Sequence, residues 1–227
     1  MKAPILITGC PRSGASMVAG MVQICGAFAG DVSNNMFEHT RISNTIVRPY
    51  FRDIKADPLG QHPLPAIDGL WIPRDFSNRV EKAIQEDGYE KGQWMYKSSN
   101  MSLVWPVWHY AFPNAKWIIV RRRTGDIIQS CVKTAFMDAY TNDNIRKVVG
   151  AQNEEEGWKW WVNQYEQRFI EMIQEGLNCK IIWPERMVDG DYQQIMETME
   201  WLGLPWRSEV LTFIDPLLHK SRQKRKD

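Results

Sequence analysis

A glycine-spaced segment near the start of the chain, ILITGCPRSGAS at residues 5–16, has the residue types of a phosphate-binding loop. From Gly9 to Ser16 it follows the P-loop spacing, in which a lysine comes directly after the second glycine. Ala15 stands at that lysine position. A cation is present earlier in the segment, at Arg12, and its planar guanidinium suits a tetrahedral oxyanion. The segment therefore predicts a loop that holds an anion through backbone N–H groups and Arg12.

A second segment whose residue types could bind a phosphate, WIIVRRRTGDIIQSCV, covers residues 117–132. An arginine at the end of a strand and a serine one turn into the next helix can grip one phosphate together, and this segment offers Arg121, Arg122 and Arg123 with Ser130. Alternation along a strand sends Arg121 and Arg123 to the face opposite Arg122. The alternative is a charged strand end that faces solvent.

The elements that would position these residues alternate between strands and helices, as in α/β proteins. Short apolar runs predict strands, and longer amphipathic stretches predict helices, with a proline-rich irregular loop between two of them. We expect one domain over 1–227, with a central parallel sheet flanked by helices and a loose basic tail at 219–227. The predicted strands are 3–8, 93–97, 115–121 and 179–183, the predicted helices are 14–26, 37–54, 76–87, 124–136, 154–176 and 190–202, and the loop is 55–75.

Composition narrows the class of protein. The 227 residues are 44% hydrophobic and carry a formal net charge of +1, which points to neither a nucleic-acid nor a membrane partner. The four cysteines are scattered without a C-x-x-C pair, so a zinc site or a dithiol redox motif is not expected. No apolar run has the length of a membrane span, and the N-terminus is a poor secretory signal. We expect a cytoplasmic protein.

Three segments resemble those of the sulfotransferases that use 3′-phosphoadenosine 5′-phosphosulfate (PAPS). GCPRSGAS is similar to their 5′-phosphosulfate loop, G-x-P-[RK]-S-G-[TS]-[ST], and departs from it at Ala15. WIIVRRRTGDIIQSCV resembles their 3′-phosphate segment, V-R-x-P-x-D-x-x-x-S, when aligned on Asp126. Residues 181–206 resemble their closing pattern, with Glu185 at the glutamate position. The resemblance implies a P-loop, sulfotransferase-like fold and assigns PAPS to Pro11, Arg12, Ser13, Gly14, Ala15, Ser16, Arg122 and Ser130.

The resemblance also suggests catalytic residues, with Arg12 among them. The family's K-T-H segment corresponds to YKSSN at 96–100, where Lys97 matches the lysine but the histidine is missing. Another branch takes a carboxylate from an N-x-x-G-[FY]-[FW]-E segment, and NNMFEHTRISN places Glu38 there. We expect Glu38 as the general base, followed by His39 and then Asp31. The plainer alternatives are that Glu38 is a carboxylate stabilised at a helix N-terminus, that His39 is a surface residue and that Lys97 is an ordinary charge at the rim of the site.

The implied activity is transfer of a sulfuryl group from PAPS to a hydroxyl or amine, with no metal required. The acceptor would be a small molecule or a glycan, and the loop 55–75 with Trp71 and the aromatic segment 105–112 are candidates for its pocket. Two other classes remain open. One is a P-loop nucleotide kinase, which Ala15 argues against, and the other is a nucleotide-binding module without catalysis. The oligomeric state is also open.

Overall fold

A four-stranded parallel sheet forms the centre of the protein. The computed structural model describes residues 1–32, 36–134 and 137–214. The strands run in the order β2-β1-β3-β4, and every neighbouring pair is parallel. This confirms the predicted central parallel sheet. The strands are β1 (Ile5–Gly9), β2 (Met95–Lys97), β3 (Lys116–Val120) and β4 (Cys179–Ile182).

Helices cover both faces of this sheet, as predicted from the alternation of elements. The longer ones are α1 (Ala15–Ile24), α4 (Phe76–Glu86), α7 (Thr124–Val132), α9 (Glu154–Gln174) and α11 (Gln193–Leu202). The shorter ones are α2 (Thr40–Ile42), α3 (Arg48–Asp53), α5 (Asn100–Leu103), α6 (Trp105–Ala111), α8 (Asp143–Val148), α10 (Pro184–Val188) and α12 (Glu209–Phe213). A π-helical turn, Ser43–Val47, joins α2 to α3, and two 3₁₀ turns lie at Ile67–Gly69 and Ala139–Thr141.

The central strands β1 and β3 are mainly apolar because both faces of the sheet are buried there. Leu6 and Ile119 lie in a large hydrophobic cluster on one face, whereas Ile7 and Ile118 lie in a second cluster on the other face. Side chains alternate between faces along a strand, so a sheet covered on both sides needs a continuous apolar run rather than an alternating one. That is the pattern from which β1 and β3 were predicted.

Several predicted boundaries change in the structure. The predicted helix 37–54 is a helical stretch from Thr40 to Asp53, interrupted by the π-helical turn. The predicted helix 190–202 begins only at Gln193. Residues 105–111, expected to line a pocket, are helical and form α6. The basic tail 219–227 and the predicted end of helix 124–136 at Ala135 and Phe136 lie outside the described residues.

Helix α9 packs an aromatic stripe against the sheet. The stripe follows the helical period that the sequence predicted, and its buried members are Trp158, Trp161, Tyr165, Phe169 and Met172. Ile173 was expected on the same stripe, but that prediction is wrong, since 43% of the residue is exposed. Ile173 lies one position beyond Met172, which turns it about 100° away from the buried face.

Gly9 illustrates how tightly β1 meets the loop that follows it. A Cβ at Gly9 would lie 2.5 Å from the Val120 carbonyl oxygen and 2.6 Å from Ser13 Oγ. We therefore expect Gly9→Ala to lower the free energy of unfolding by about 1–3 kcal/mol, the usual cost of overpacking. Urea unfolding measures this cost. Gly125→Ala is the control, because a Cβ there meets nothing within 4 Å, and equal stabilities of the two variants would contradict the expectation.

The described helices include none that is both long and apolar enough to cross a membrane.

Candidate active site

The loop between β1 and α1 is built to present backbone N–H groups. Arg12 has a φ of 72° and Gly14 a φ of 96°, so left-handed residues flank Ser13, whose N–H donates to the Cys10 carbonyl at 3.0 Å. Such alternation of backbone conformations forms a concave nest that binds anions. The first N–H groups of α1 have no acceptor within the helix, and the helix dipole adds partial positive charge at the same point.

The two segments singled out from the sequence meet at this loop. Arg12 Nε donates a hydrogen bond to Ser130 Oγ at 2.8 Å, across 118 positions of the chain. Arg122 Nη1 donates to the Arg12 carbonyl oxygen at 2.9 Å. Arg122 Nε also lies 4.0 Å from Asp126 Oδ2. Two guanidinium groups and one hydroxyl group therefore lie together beside the loop between β1 and α1.

The neighbours of Arg122 are used elsewhere. The Arg121 guanidinium lies over the Trp183 ring, 5.1 Å from its centroid, and pairs with Glu166. The Arg123 side chain is exposed. Of the three consecutive arginines, Arg122 is the one among the described residues that line the cleft.

Glu185, from the closing segment, fixes the turn after β3. It stands in the first turn of α10 and is buried, and its Oε1 accepts a hydrogen bond from the Arg123 N–H at 3.2 Å. This contact holds the turn that carries Arg122 at the end of β3. The glutamate therefore acts on the arginine cluster through the backbone.

An ion pair between a lysine and a glutamate lies in the same cleft. Lys97 is the last residue of β2, and its Nζ lies 3.2 Å from Glu38 Oε1. The Lys97 side chain is only 6% exposed, whereas Glu38 retains 20%. Ser16 Oγ, at the start of α1, donates to the Met36 carbonyl at 3.0 Å and so ties the phosphate loop to the segment that carries Glu38.

A cavity of about 830 Å³ contains both groups of residues. Its described lining includes the loop residues Cys10, Pro11, Arg12, Gly14, Ala15, Ser16 and Met17, the β3–α7 residues Arg122, Gln129, Ser130, Lys133 and Thr134, and the β2–α5 residues Lys97, Ser98, Ser99 and Asn100. The remaining wall consists of Met36, Phe37, Glu38, Ser43, Val47, Arg48, Pro58, Leu59 and Phe213. The cleft therefore places a cationic phosphate-type site next to a partly apolar wall.

Two expectations about this cleft need correction. The Ser13 side chain is fully buried and is not among the lining residues, because its Oγ is turned back toward Gly9 beneath the loop. Trp71 packs on Tyr50 at 5.4 Å between ring centroids, and the α6 residue Trp108 stacks on Tyr96 at 5.0 Å. Neither Trp71 nor Trp108 is among the described residues that line the cleft. The predicted loop 55–75 does line the cleft, but through Pro58 and Leu59 rather than Trp71.

His39 lies outside the described lining of the cleft, although it follows Glu38 in sequence. Its expected surface position is wrong, since it is 1% exposed, with Nε2 3.1 Å from Asp87 Oδ2. Its Nδ1 accepts from the Ile42 N–H at 3.4 Å and so caps α2. The Asp31 N–H donates to the same Asp87 carboxylate at 3.1 Å. Of the three carboxylate and imidazole candidates for the base, Glu38 is the one that lines the described cleft.

Burial of His39 predicts an acid-sensitive fold. Burial lowers the pKa of His39 from its ordinary value of 6.5, despite the opposing attraction of Asp87. Below that value the unfolded chain binds a proton more readily than the folded one, so the free energy of unfolding falls as the pH decreases. We expect His39→Gln, which does not titrate, to lose less stability between about pH 7 and about pH 5. Urea unfolding at both pH values measures this difference, and an equal loss in both proteins would contradict it.

Solved structures with the same arrangement of elements are sulfotransferase domains. The sulfotransferase domain from the curacin biosynthetic pathway is 16% identical, with a TM-score of 0.59 over 95% of this chain and 78% of that one. The sulfotransferase domain of the Synechococcus PCC 7002 olefin synthase is 14% identical, with a TM-score of 0.55 over 95% and 79%. Sulfotransferase STF9 from Mycobacterium avium is 12% identical, with a TM-score of 0.53 over 98% and 69%.

At the level of sequence, no protein-family model and no curated protein matches the chain. Identities of this size establish shared architecture and leave the chemistry to be argued from the site. The parallel sheet and the overall arrangement of elements agree with the fold that the resemblance implied. The chain therefore has the fold of the sulfotransferases.

Proposed function

We propose that the protein transfers a sulfuryl group from PAPS to a hydroxyl or amine of an acceptor molecule. The observation that carries this proposal is the contact of Arg12 Nε with Ser130 Oγ at 2.8 Å, because it joins the two predicted phosphate-binding segments. Both segments open into the cavity that also holds the Glu38–Lys97 pair. A nucleotide with phosphate groups at both its 3′ and 5′ positions has the charge distribution that such a cleft would neutralise.

In the proposed donor site, the nest between β1 and α1 holds the 5′-phosphosulfate. The backbone N–H groups and the Arg12 guanidinium would donate to its oxygens, while Ala15 and Ser16 line the cavity at the start of α1. Arg122 and Ser130 would hold the 3′-phosphate. The absence of a lysine after Gly14 fits this donor, which carries no γ-phosphate for such a lysine to reach.

In the proposed reaction, Glu38 accepts the proton of the acceptor hydroxyl or amine. The acceptor atom forms a bond to sulfur as the bond between sulfur and the bridging phosphate oxygen breaks, and adenosine 3′,5′-bisphosphate leaves. Negative charge develops on that bridging oxygen. Lys97, whose ammonium lies 3.2 Å from the Glu38 carboxylate, would stabilise it. Arg12 would contribute from the loop side, and no metal is needed in this scheme.

A transfer assay tests the proposal. The protein is incubated with PAPS labelled with ³⁵S and a pool of hydroxyl and amine compounds, in buffer containing EDTA. We expect the label to appear on an acceptor together with an equal amount of adenosine 3′,5′-bisphosphate. Transfer of phosphate from ATP in a parallel reaction with Mg²⁺, and no transfer of label from PAPS, would assign the cleft to a phosphotransferase.

A further inference from the structure

The cleft holds more positive charge than its own carboxylate balances. Five basic residues are among its described lining, namely Arg12, Arg48, Lys97, Arg122 and Lys133. Glu38 is the acidic residue of that described lining. Arg12 and Arg122 belong to the cluster at the phosphate loop. Lys97 pairs with Glu38. Arg48 is on a different element, at the start of α3, and has no role in the donor site proposed above.

Arg48 is held in place by its own helical segment. Its Nη1 donates to Asn44 Oδ1 at 2.7 Å, one turn earlier in the π-helical turn Ser43–Val47. None of the ion pairs among the described residues includes Arg48. Its position is only partly exposed. A partly desolvated guanidinium with no carboxylate partner among the described residues is well suited to bind an oxyanion that enters the cleft.

Arg48 lines the same cavity as the Glu38–Lys97 pair. The Tyr96 hydroxyl, 3.1 Å from Ser43 Oγ, is within the electrostatic reach of both Glu38 and Arg48. Burial raises the pKa of Tyr96, the Glu38 carboxylate raises it further, and Arg48 opposes them. Glu38, Ser43 and Arg48 are all among the described residues that line the cleft.

Several apolar residues line the same cavity as Arg48. Val47, the residue before it, lines the cavity together with Met36, Phe37 and the loop residues Pro58 and Leu59. Met36 is 47% exposed and Leu59 is 45% exposed, so large hydrophobic side chains border the open part of the cleft. Such side chains contribute most to binding when an apolar ligand covers them.

We propose that Arg48 recognises the acceptor, and that the acceptor is an anionic amphiphile. Its hydroxyl reacts beside Glu38, its apolar part covers Met36, Val47 and Leu59, and its carboxylate or phosphate pairs with Arg48. This assignment rests on the sulfuryl transfer proposed above, because it uses Glu38 as the reacting end of the site. It also accounts for the presence of the Arg48 guanidinium in a cleft that Met36, Val47 and Leu59 line.

Binding of matched probes to the protein saturated with adenosine 3′,5′-bisphosphate tests this acceptor class. The probes are 4-hydroxybutanoate, 10-hydroxydecanoate, the methyl ester of each, and the monophosphate of decane-1,10-diol. We expect calorimetry to show that at least one anion binds at least about tenfold more tightly than its uncharged counterpart. The carboxylate and phosphate probes then separate the two kinds of oxyanion.

Variants on one helix supply the control. Arg48→Gln should bring the anion and the ester to within about twofold of each other, and Arg52→Gln, which changes an exposed arginine of α3 outside the described lining, should keep the preference. Equal binding of anion and ester by the wild-type protein, a preference that survives Arg48→Gln, or no probe binding would overturn the assignment. Weaker bisphosphate binding in Arg48→Gln would overturn it too, because it would show that Arg48 helps to bind the donor. If the wild-type protein fails to bind the bisphosphate, the proposed sulfuryl transfer itself fails.

Discussion

Replacing Arg122 with alanine should weaken the binding of adenosine 3′,5′-bisphosphate by about thirtyfold. The side chain is in the proposed 3′-phosphate site, and hydrogen bonds to a charged group are worth about 2 kcal/mol each. Its removal also deletes the 2.9 Å hydrogen bond to the Arg12 carbonyl, which helps to hold the phosphate loop. Isothermal calorimetry of the wild-type and variant proteins measures the dissociation constants.

The adjacent arginine supplies a matched control for this experiment. Arg123 has the same charge and sits one position later, but its side chain is exposed and is not among the described residues that line the cleft. Arg123→Ala should therefore change the dissociation constant by less than about twofold. Equal losses in the two variants would mean that general charge, rather than a specific phosphate site at Arg122, attracts the nucleotide.

Replacing Glu38 with glutamine should lower kcat by about 10² to 10⁴, the usual contribution of a general base. The amide keeps the size of the side chain and can still accept a hydrogen bond from Lys97, so the fold should persist. Binding of the bisphosphate should change little, because Glu38 is assigned to the acceptor side. The rate is measured with an acceptor that the wild-type protein labels from PAPS.

Glu86→Gln is the control for the loss of a carboxylate. Glu86 pairs with Arg41 at 3.1 Å, and it is 42% exposed and outside the described lining of the cleft. It should keep the wild-type kcat. A Glu38→Gln variant with undiminished kcat would exclude Glu38 as the base and direct the search to other groups in the cleft.

The parts of the fold that the sequence predicted are those with local signals. The apolar run at Ile5–Ile7 and the run before Arg121 are long enough to identify strands that are buried on both faces. The glycine at position 9 is required by the close approach of Val120, and the glycine at position 14 by its positive φ. The requirement at Gly14 is local to the loop, whereas the one at Gly9 comes from the neighbouring strand, yet both appear in the sequence as glycines at the P-loop spacing.

The parts that the sequence did not predict depend on contacts between distant segments. His39 looked like a surface residue because its partner, Asp87, follows α4 and is remote in the chain. Residues 105–112 were expected at a pocket because aromatic side chains suit both pockets and cores. Arg48 was not predicted as a site residue, since its place in the cleft depends on how residues distant in the sequence, such as Lys97 and Leu59, come together around one cavity.

The measurement that tests the account most directly is a calorimetric titration of the protein with adenosine 3′,5′-bisphosphate in EDTA, repeated with Mg²⁺ and with ATP. The account predicts that the bisphosphate binds equally well with and without Mg²⁺, and more tightly than ATP, since the loop has backbone N–H groups and Arg12 but Ala15 at the lysine position of a kinase. Absence of bisphosphate binding, or tighter binding of ATP that requires Mg²⁺, would contradict the proposed donor site.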